Sequence, residues 1–420
     1  MDKFIIKGGR KLSGKVAVSG SKNAALPIIV AALLPESGKS VIKNVPDLMD
    51  IRTIIGVLRG LGAIIEYDPQ NETMTVDSSK ISNHEAPYDL VRKMRASFLV
   101  LGPLLSRLKR ARVSLPGGCV LGARPVDQHL EGLKRLGTAI VEKSGYIWAT
   151  TDELVGADVF FDRPSHTGTE NIMMAAVLAR GRTVIINAAC DPEVVDLANF
   201  MTAMGAEIVG AGTTRIEING VKKLKAASYS VMPDRLEAGT FLLALGACGG
   251  KIELTDTNPS DYEILISKLR SCGMVFKLAQ KAVAAEMSGR PSAIRLTTFP
   301  FPGFPTDLQA SAMALAAVAK GTSYIRETVF NDRFAHIMEM QRLGADINVS
   351  GDEAVVNGTE SLSGASVMAS DIRAGAGLVL ACLAASGESE VLRVYHIDRG
   401  YKSIESKLAA LGGNITRQSV

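Results

Sequence analysis

The chain has 420 residues, of which 47% are hydrophobic and 21% are charged, an ordinary balance for two or three globular domains. Its 47 basic and 43 acidic residues leave a formal charge of +4, and its one basic run, residues 107–112, contains no aromatic side chain. This composition argues against nucleic acid as a main partner, because strand binding combines cationic grooves with stacking aromatics. A small anionic substrate fits the surface charge.

The cysteines and the N-terminus exclude further classes. An odd number of cysteines without a C-x-x-C pair indicates neither a zinc site nor a disulfide framework, and scattered histidines predict no metal site. The N-terminus lacks the apolar core of a signal peptide, and the longest apolar run, Ala24–Leu34, is about half the ~20 residues that cross a bilayer. We therefore expect a cytoplasmic protein without membrane partners, whose cysteines stay reduced: Cys119, Cys190, Cys248, Cys272 and Cys382.

One short pattern, apolar-x-x-apolar-Gly before an apolar stretch, recurs along the whole chain. It reads LRGLGAII (58–65), LKRLGTAI (133–140), MTAMGAEI (201–208), LRSCGMVF (269–276), MQRLGADI (340–347) and LAALGGNI (408–415). Successive glycines are 75, 68, 68, 71 and 68 residues apart. Because glycine readily takes a positive φ after the last helical turn, each copy predicts the C-terminus of a helix.

Each copy belongs to a repeating unit of about 70 residues. For each unit we predict the order helix, strand, loop, helix, strand and strand, with the repeated pattern at the end of the second helix. The first helix is apolar nearly all round, as in MRASFLVLGPLL or TDLQASAMALAAVA, which predicts burial on every side. The second helix is amphipathic and should keep one face in water. Three such units around a shared bundle of helices, with sheets outside, would form one domain. Six units then predict two similar α/β domains.

The chemistry concentrates at helix starts, where backbone N–H groups favour anions. Charged groups at the start of an apolar helix are costly unless they face a cleft or pair with each other. We therefore predict a shared cleft, although a cap or a surface ion pair is an alternative for each residue. So many cations favour a substrate with phosphate and carboxylate groups. The predicted cleft places Lys22, Arg95, Arg124, Arg333, Arg373 and Arg399 against Asp307 and Asp371.

Several stretches, in order along the chain, resemble the enolpyruvyl transferases: GSKNAALP, MRASFLVLGPLL, PGGCVLGARPVDQH, PDRLEAGTFL, FPTDLQA, ETVFNDRF, ASDIRAGAGLVLA and YHIDRGY. The cysteine loop resembles the sugar-nucleotide branch of that family. The resemblance implies a two-domain inside-out α/β barrel with three βαβαββ repeats in each domain. It also implies that residues 1–20 join 230–420 in one domain, while 21–229 form the other and carry a mobile Cys119 loop.

The resemblance implies a reaction in which the enolpyruvyl group of phosphoenolpyruvate moves to the 3′-hydroxyl of UDP-N-acetylglucosamine, releasing phosphate, without a cofactor. This is the first committed step of peptidoglycan synthesis. By resemblance, Cys119 protonates the methylene carbon and Asp307 is the base for the hydroxyl. Lys22, Arg124 and Arg399 match the groups that hold phosphoenolpyruvate. The implied sugar-nucleotide contacts are Asn23, Arg95, Arg124, Pro125, Val126, Asp127, Gln128, Asp307 and the backbone at Val329.

One segment departs from the family pattern. Where commoner members carry Lys-x-Ser-Val-Gly near the uridine, this chain has Arg163–Pro164–Ser165–His166–Thr167. Arg163 and Ser165 can still supply a cation and a hydroxyl to the nucleotide. Stacking of His166 near the uracil is a hypothesis.

The residues support the implied roles independently. A free thiol titrates near ~8.5, so it is mostly protonated at neutral pH and can act as an acid. The glycines beside Cys119 would let its loop close over a substrate. Three alternatives stay open: enolpyruvyl transfer to shikimate 3-phosphate, a catalytically silent sugar-nucleotide-binding paralogue, and RNA-end processing on related repeats. The oligomeric state also stays open, with a monomer among the options.

Overall fold

The computed structural model describes residues 2–86, 88–91, 94–115, 126–330 and 332–419. Its strands are β1 (Asp2–Lys7), β2 (Leu12–Ala17), β3 (Lys39–Lys43), β4 (Ile64–Asp68), β5 (Thr73–Asp77), β6 (Arg110–Ser114), β7 (Ala139–Lys143), β8 (Tyr146–Thr150), β9 (Asp158–Phe160), β10 (Arg182–Ile186), β11 (Glu207–Val209), β12 (Arg215–Asn219), β13 (Ser228–Ser230), β14 (Gly250–Thr255), β15 (Val275–Ala279), β16 (Ala282–Met287), β17 (Arg295–Thr297), β18 (Thr322–Arg326), β19 (Asp346–Ser350), β20 (Glu353–Asn357), β21 (Ser366–Met368), β22 (Glu388–Leu392) and β23 (Asn414–Ser419).

The α-helices are α1 (Lys22–Ala31), α2 (Met49–Gly60), α3 (Tyr88–Val91), α4 (Leu101–Leu108), α5 (Asp127–Arg135), α6 (His166–Ala176), α7 (Pro192–Ala203), α8 (Arg235–Cys248), α9 (Glu263–Ser271), α10 (Gln309–Ala317), α11 (Ile337–Arg342), α12 (Ile372–Ala384) and α13 (Ile404–Ala410). Short 3₁₀ helices span Arg95–Val100, Pro259–Tyr262, Thr306–Leu308 and Val394–Arg399. Among the described residues, no helix is long and apolar enough to cross a membrane.

The chain folds into two compact units, each with its own hydrophobic core. Of the described residues, unit one contains those up to Ser19 and those from Pro233 onward, and unit two contains those between Gly20 and Met232. In unit two the sheets have the orders β13-β3-β5-β4, β6-β8-β7 and β11-β12-β10-β9. In unit one the orders are β15-β16-β14-β2, β17-β18-β20-β19 and β21-β22-β1-β23.

Helices that are apolar all round form the centre of each unit. Every residue of α10 is buried, and in α1 only Asn23 is partly exposed. The helix α2, by contrast, buries a single face that includes Ile51, Ile54 and Leu58. The predicted division into fully buried and amphipathic helices is confirmed. The predicted arrangement, with helices inside each unit and sheets outside, is also found.

The N-terminal strands complete two sheets of unit one. Strand β1 lies between β22 and β23 and is antiparallel to both, so that Phe4 faces Val391 on one side and Arg417 on the other. Strand β2 runs parallel to β14, with Leu12 beside Gly250. The alternation of buried Phe4 and Ile6 with more exposed neighbours fixes this register, because a one-residue slip would turn both side chains outward.

The glycine of every copy of the repeated pattern has a positive φ. The values lie between 85° and 103° for Gly62, Gly137, Gly205, Gly273, Gly344 and Gly412. The prediction that each of these glycines ends a helix is therefore confirmed.

Two of these glycines make a matched pair in unit two. We expect Gly205→Ala, with φ of 102° and nothing within 4 Å of an added Cβ, to lower the free energy of unfolding by about 1–2 kcal/mol, the strain of a positive φ. Gly62→Ala, with φ of 103°, should lose more, because its Cβ would lie 2.6 Å from the carbonyl oxygen of Lys80. Denaturant unfolding of both variants measures the difference. Equal losses would mean that crowding by Lys80 has no effect.

Candidate active site

The first cation of unit two is held in an ion pair at the start of its central helix. Ser21 caps α1, accepting from the backbone N–H of Ala24, and Lys22 follows as the first helical residue. Lys22 Nζ lies 3.3 Å from Oδ2 of Asp50, and the two side chains are only 10% and 6% exposed. Pairing offsets part of the cost of burying both charges. Sequence reasoning missed Asp50, because an acid in the first turn of an amphipathic helix is typical of an ordinary helix start.

The predicted nucleotide segment is only partly within the described residues. Cys119, Arg124 and Pro125 lie outside them. Val126 is buried next to the start of α5, and Asp127 is exposed as its first residue. Gln128 has a buried Oε1 with no hydrogen-bond partner in the described part of the chain.

A buried histidine connects the start of α5 to the start of α6. The amide of Asn171 donates to Nδ1 of His129 (3.1 Å), so the ring proton lies on Nε2 and faces Oγ1 of Thr167 (3.2 Å). Burial and the nearby charge of Arg95 lower the pKa of His129 to about 3. His129 is therefore neutral at physiological pH. Like Asn23, Arg95 is partly exposed, and it begins the first 3₁₀ helix.

In the segment that departs from the family pattern, two side chains are engaged by the protein itself. Ser165 caps α6, its hydroxyl oxygen accepting from the N–H of Gly168 at 3.2 Å, which leaves its proton free to donate. Arg163 is exposed. His166 Nε2 lies 3.0 Å from Oε1 of Glu170, and its Nδ1 lies 3.7 Å from Oδ1 of Asp191. The ring belongs to a charge network, and stacking on a uracil stays a prediction.

This network holds His166 in its charged form. Burial opposes protonation, but Glu170 and Asp191 outweigh it and raise the pKa of His166 well above its usual range. Ligand-type atoms of His166, Asp191 and Glu193 all lie within 4.8 Å of one another. The scattered sequence positions of these residues gave no sign of this grouping.

In unit one, two arginines hold the predicted base. Asp307 lies in the 3₁₀ helix Thr306–Leu308 before α10 and is 27% exposed. Its Oδ1 is 2.8 Å from Nη1 of Arg333, and its Oδ2 is 3.0 Å from Nε of Arg373. Both guanidinium groups are buried, and two flanking cations favour an ionised carboxylate. The structure therefore brings Asp307, Arg333 and Arg373 into contact, and their place in a substrate cleft stays a prediction.

Arg373 keeps its charge although its side chain is only 4% exposed. Burial disfavours the cation, but Tyr401, Asp307 and Asp234 raise the pKa of Arg373 above its ordinary value. The guanidinium also lies 5.1 Å from the centre of the Tyr401 ring. Its Nη1 and Nη2 are themselves buried beside Tyr401, and they make no further hydrogen bond among the described residues.

The remaining predicted residues of unit one have other surroundings. Asp371 is the cap of α12, accepting from the N–H groups of Arg373 (2.9 Å) and Ala374 (3.0 Å), so its carboxylate serves the helix. Val329 is partly exposed, and its N–H donates to Glu327 at 2.9 Å. Arg399 is partly exposed at the end of the last 3₁₀ helix.

The cysteines among the described residues are poor nucleophiles. Burial raises the pKa of Cys248 and of Cys382 to about 12, and it also raises the pKa of Cys190 and Cys272. All four are free thiols. Because the thiolate is the reactive form, neutral solution leaves these four thiols largely unreactive.

Known proteins resemble this chain over its whole length. The family model described as EPSP synthase (3-phosphoshikimate 1-carboxyvinyltransferase) matches residues 6–408. This chain belongs to that family of carboxyvinyltransferases. Two family members named UDP-N-acetylglucosamine 1-carboxyvinyltransferase are 50% identical, from Idiomarina loihiensis, and 52% identical, from Desulfovibrio desulfuricans. The alignments cover 99% of both chains in the first case and 100% of both in the second.

Solved structures of carboxyvinyltransferases, also called enolpyruvyl transferases, share the fold. The enolpyruvyl transferase NikO from Streptomyces tendae superposes with a TM-score of 0.89 at 26% identity, covering 100% of this chain and 99% of that one. EPSP synthase from Acinetobacter baumannii gives a TM-score of 0.75 at 19% identity, covering 100% of both chains. The predicted inside-out α/β fold is confirmed.

The His166 network predicts how stability depends on pH. A histidine whose pKa is raised by folding contributes stability that is complete below its unfolded pKa of ~6.5 and lost as pH rises through the folded pKa. The free energy of unfolding of the wild type minus that of His166→Gln should therefore shrink between pH 6.5 and pH 9. Denaturant titrations at several pH values measure it. A constant difference would mean that folding does not shift the pKa of His166.

Proposed function

We propose that this protein transfers the enolpyruvyl group of phosphoenolpyruvate to the 3′-hydroxyl of UDP-N-acetylglucosamine and releases phosphate. The observation that carries this proposal is the 50–52% identity, over essentially the full length, to proteins named UDP-N-acetylglucosamine 1-carboxyvinyltransferase. The cation Lys22 and the arginine-flanked carboxylate Asp307 support it, since an anionic enol and a hydroxyl nucleophile need these groups.

The first half of the reaction needs an acid and a base. The thiol of Cys119 donates a proton to C3 of phosphoenolpyruvate, which leaves positive charge at C2. The 3′-hydroxyl oxygen attacks C2, and its proton passes to Asp307, giving a tetrahedral ketal that still carries the phosphate. In the second half, C3 returns a proton to the Cys119 thiolate as the C2–O bond to phosphate breaks, which restores the double bond and the thiol. Asp307 passes the hydroxyl proton to the departing phosphate. The carbon–oxygen bonds that form and break all belong to the two substrates, and Cys119 and Asp307 only carry protons, so no cofactor is needed.

The surroundings of Asp307 suit a base that acts late. Asp307 lies between the guanidinium groups of Arg333 and Arg373, and a carboxylate is far too weak a base to remove a proton from a free alcohol. Once the oxygen bonds to C2, however, the hydroxyl proton becomes strongly acidic. Asp307 therefore first accepts a hydrogen bond that orients the hydroxyl, and then takes its proton.

The anionic substrate explains why cations stand at helix starts. In this proposal Lys22, Arg124 and Arg399 bind phosphoenolpyruvate, and Lys22 is presented at the N-terminus of α1, where backbone N–H groups also favour an anion. The sugar nucleotide is bound by Asn23, Arg95, residues 124–128, Arg163, Ser165, His166, Asp307 and the backbone at Val329. Arg333 and Arg373 act chiefly through Asp307, while Asp371 contributes as the cap of α12.

The cellular role follows from the reaction. The product of this transfer is the first committed intermediate of peptidoglycan synthesis. We propose a cytoplasmic enzyme that cell-wall synthesis, cell shape, division and the cell cycle require, and that the epoxide fosfomycin inactivates at Cys119.

Transfer to shikimate 3-phosphate is the second candidate, because the matching family model is described by that reaction. The choice of acceptor can be measured directly. We expect phosphate release from phosphoenolpyruvate to be at least ~100-fold faster with UDP-N-acetylglucosamine than with shikimate 3-phosphate, as expected when a polar site rejects a ligand that leaves its groups unpaired. A coupled phosphate assay checks this, with phosphoenolpyruvate alone as control. Equal rates with both acceptors would reject the proposal.

The thiol role predicts different outcomes for two variants. Cys119→Ala should lose turnover by at least ~100-fold and should lose covalent labelling by fosfomycin, while Cys119→Asp should keep measurable turnover without labelling, because a carboxylic acid can also donate a proton. Intact-protein mass spectrometry measures the label. The four described cysteines should stay unlabelled, since burial raises the pKa of each. Normal turnover by the alanine variant would rule out the acid role.

A further inference from the structure

A fully buried carboxylate, Glu327, lies next to the candidate base without being part of it. Glu327 directly follows β18, and its exposed fraction is 0%. Thr298 directly follows β17, the parallel neighbour of β18, so both side chains lie at the same ends of adjacent strands. Buried carboxylates are costly unless every lone pair has a donor, so the partners of Glu327 are informative.

One oxygen of Glu327 organises the backbone after β18. Its Oε1 accepts from the N–H of Val329 (2.9 Å), from the N–H of Phe330 (3.0 Å) and from the hydroxyl of Thr298 (2.8 Å). These bonds fix the turn that carries Val329, the predicted backbone contact to the sugar nucleotide.

The other oxygen connects to Asp307. The hydroxyl of Thr306 donates to Oε2 of Glu327 at 2.9 Å and accepts from Nη1 of Arg333, also at 2.9 Å. The same Nη1 lies 2.8 Å from Oδ1 of Asp307. A hydroxyl has one proton, so by giving it to Glu327 Thr306 must present its lone pairs to Arg333. Glu327 thereby sets the direction of the Thr306 hydroxyl and, through Arg333, the position of the Asp307 carboxylate.

We infer that Glu327 is a positioning residue for the transfer reaction: through Thr306 and Arg333 it fixes the base, and through two backbone N–H groups it fixes the turn at Val329. This inference rests on the proposed function. This role differs from a purely structural one, because the hydrogen bonds of Glu327 hold two predicted substrate contacts, Asp307 and Val329, in place. Asp307 and Val329 are 22 residues apart in sequence, and this one carboxylate holds both.

The isosteric change Glu327→Gln tests the hydrogen bonds of Oε2 separately from those of Oε1. Three donors face the Oε1 position, so the amide oxygen should take that place and the turn at Val329 should keep its bonds. The amide NH₂ then faces Thr306 and donates where the carboxylate accepted, so the Thr306 hydroxyl loses its acceptor. We expect kcat to fall roughly 10- to 100-fold, as small misplacements of a reacting group do, with the KM of both substrates within about threefold of the wild type.

Thr306 supplies the matched variants. Thr306→Val removes the hydroxyl and should lower kcat to the same extent, whereas Thr306→Ser keeps the hydroxyl and should stay within about twofold of the wild type. If Glu327 and Thr306 act as one unit, the double variant Glu327→Gln/Thr306→Val should lose no more than either single variant. Thermal unfolding of each variant, followed by circular dichroism, identifies any that is unfolded at the assay temperature, and Thr306→Val still tests the connection if Glu327→Gln does not fold.

Steady-state kinetics with phosphoenolpyruvate and UDP-N-acetylglucosamine distinguish the possible results. A kcat of either Glu327→Gln or Thr306→Val within twofold of the wild type would overturn the inference, as would losses in the double variant that equal the product of the single losses. The wild type, assayed in parallel, tests the proposed function separately. If the wild type releases no phosphate with this acceptor, the proposed function fails whatever the variants do.

Discussion

The structure depends on one constraint: a helix that is buried on all sides can place charged groups only at its ends. In α1 and α10 every residue except Asn23 is buried, so the cations and carboxylates collect in the first turn or just before it. There each charge needs a partner, because an isolated buried charge is prohibitively costly. Lys22 finds Asp50, and Asp307 finds Arg333 and Arg373. The chemistry of this protein is concentrated where its packing permits charge.

The residue at the start of the buried helix has different roles in different repeats: in some it caps the helix, and in one it is the candidate base. At the start of α6 and of α12, Ser165 and Asp371 accept from backbone N–H groups and stabilise the helix. At the start of α10, Asp307 faces two buried guanidinium groups and stays 27% exposed. The six repeats therefore share one scaffold. The residue at a helix start is a cap in some repeats and a reactive group in another.

The sequence predicts the fold well because its signals are local and repeated. The glycine of each repeated pattern marks a helix end, because the chain needs a positive φ there and glycine adopts it most easily. All six glycines have this positive φ. Arg333, Arg373 and Asp307 could be named from their positions at helix starts and loops. Their mutual contacts could not, because the ion pairs join residues that are 26 and 66 positions apart in sequence, the first pair within one repeat and the second between two repeats.

The partners of the site were harder to predict. Asp50 resembles an ordinary residue of a helix's first turn. The burial of Glu327, however, could have been predicted from the sequence. Ser323 and Ile325 point inward on β18, and because side chains alternate along a strand, Glu327 lies on the same buried face. A charged residue at an inward position indicates a polar network. Its hydrogen-bond partners come from three separate segments, and only the folded chain brings these together.

The most direct test of this account compares two aspartates at equivalent helix starts. If Asp307 takes the hydroxyl proton while Asp371 only caps α12, Asp307→Asn should lower kcat by roughly 10²- to 10⁴-fold and still bind UDP-N-acetylglucosamine in calorimetry. Asp371→Asn, whose amide oxygen can still cap the helix, should keep kcat within a few-fold of the wild type. Comparable losses of kcat in both variants, or near-normal turnover by Asp307→Asn, would contradict the account.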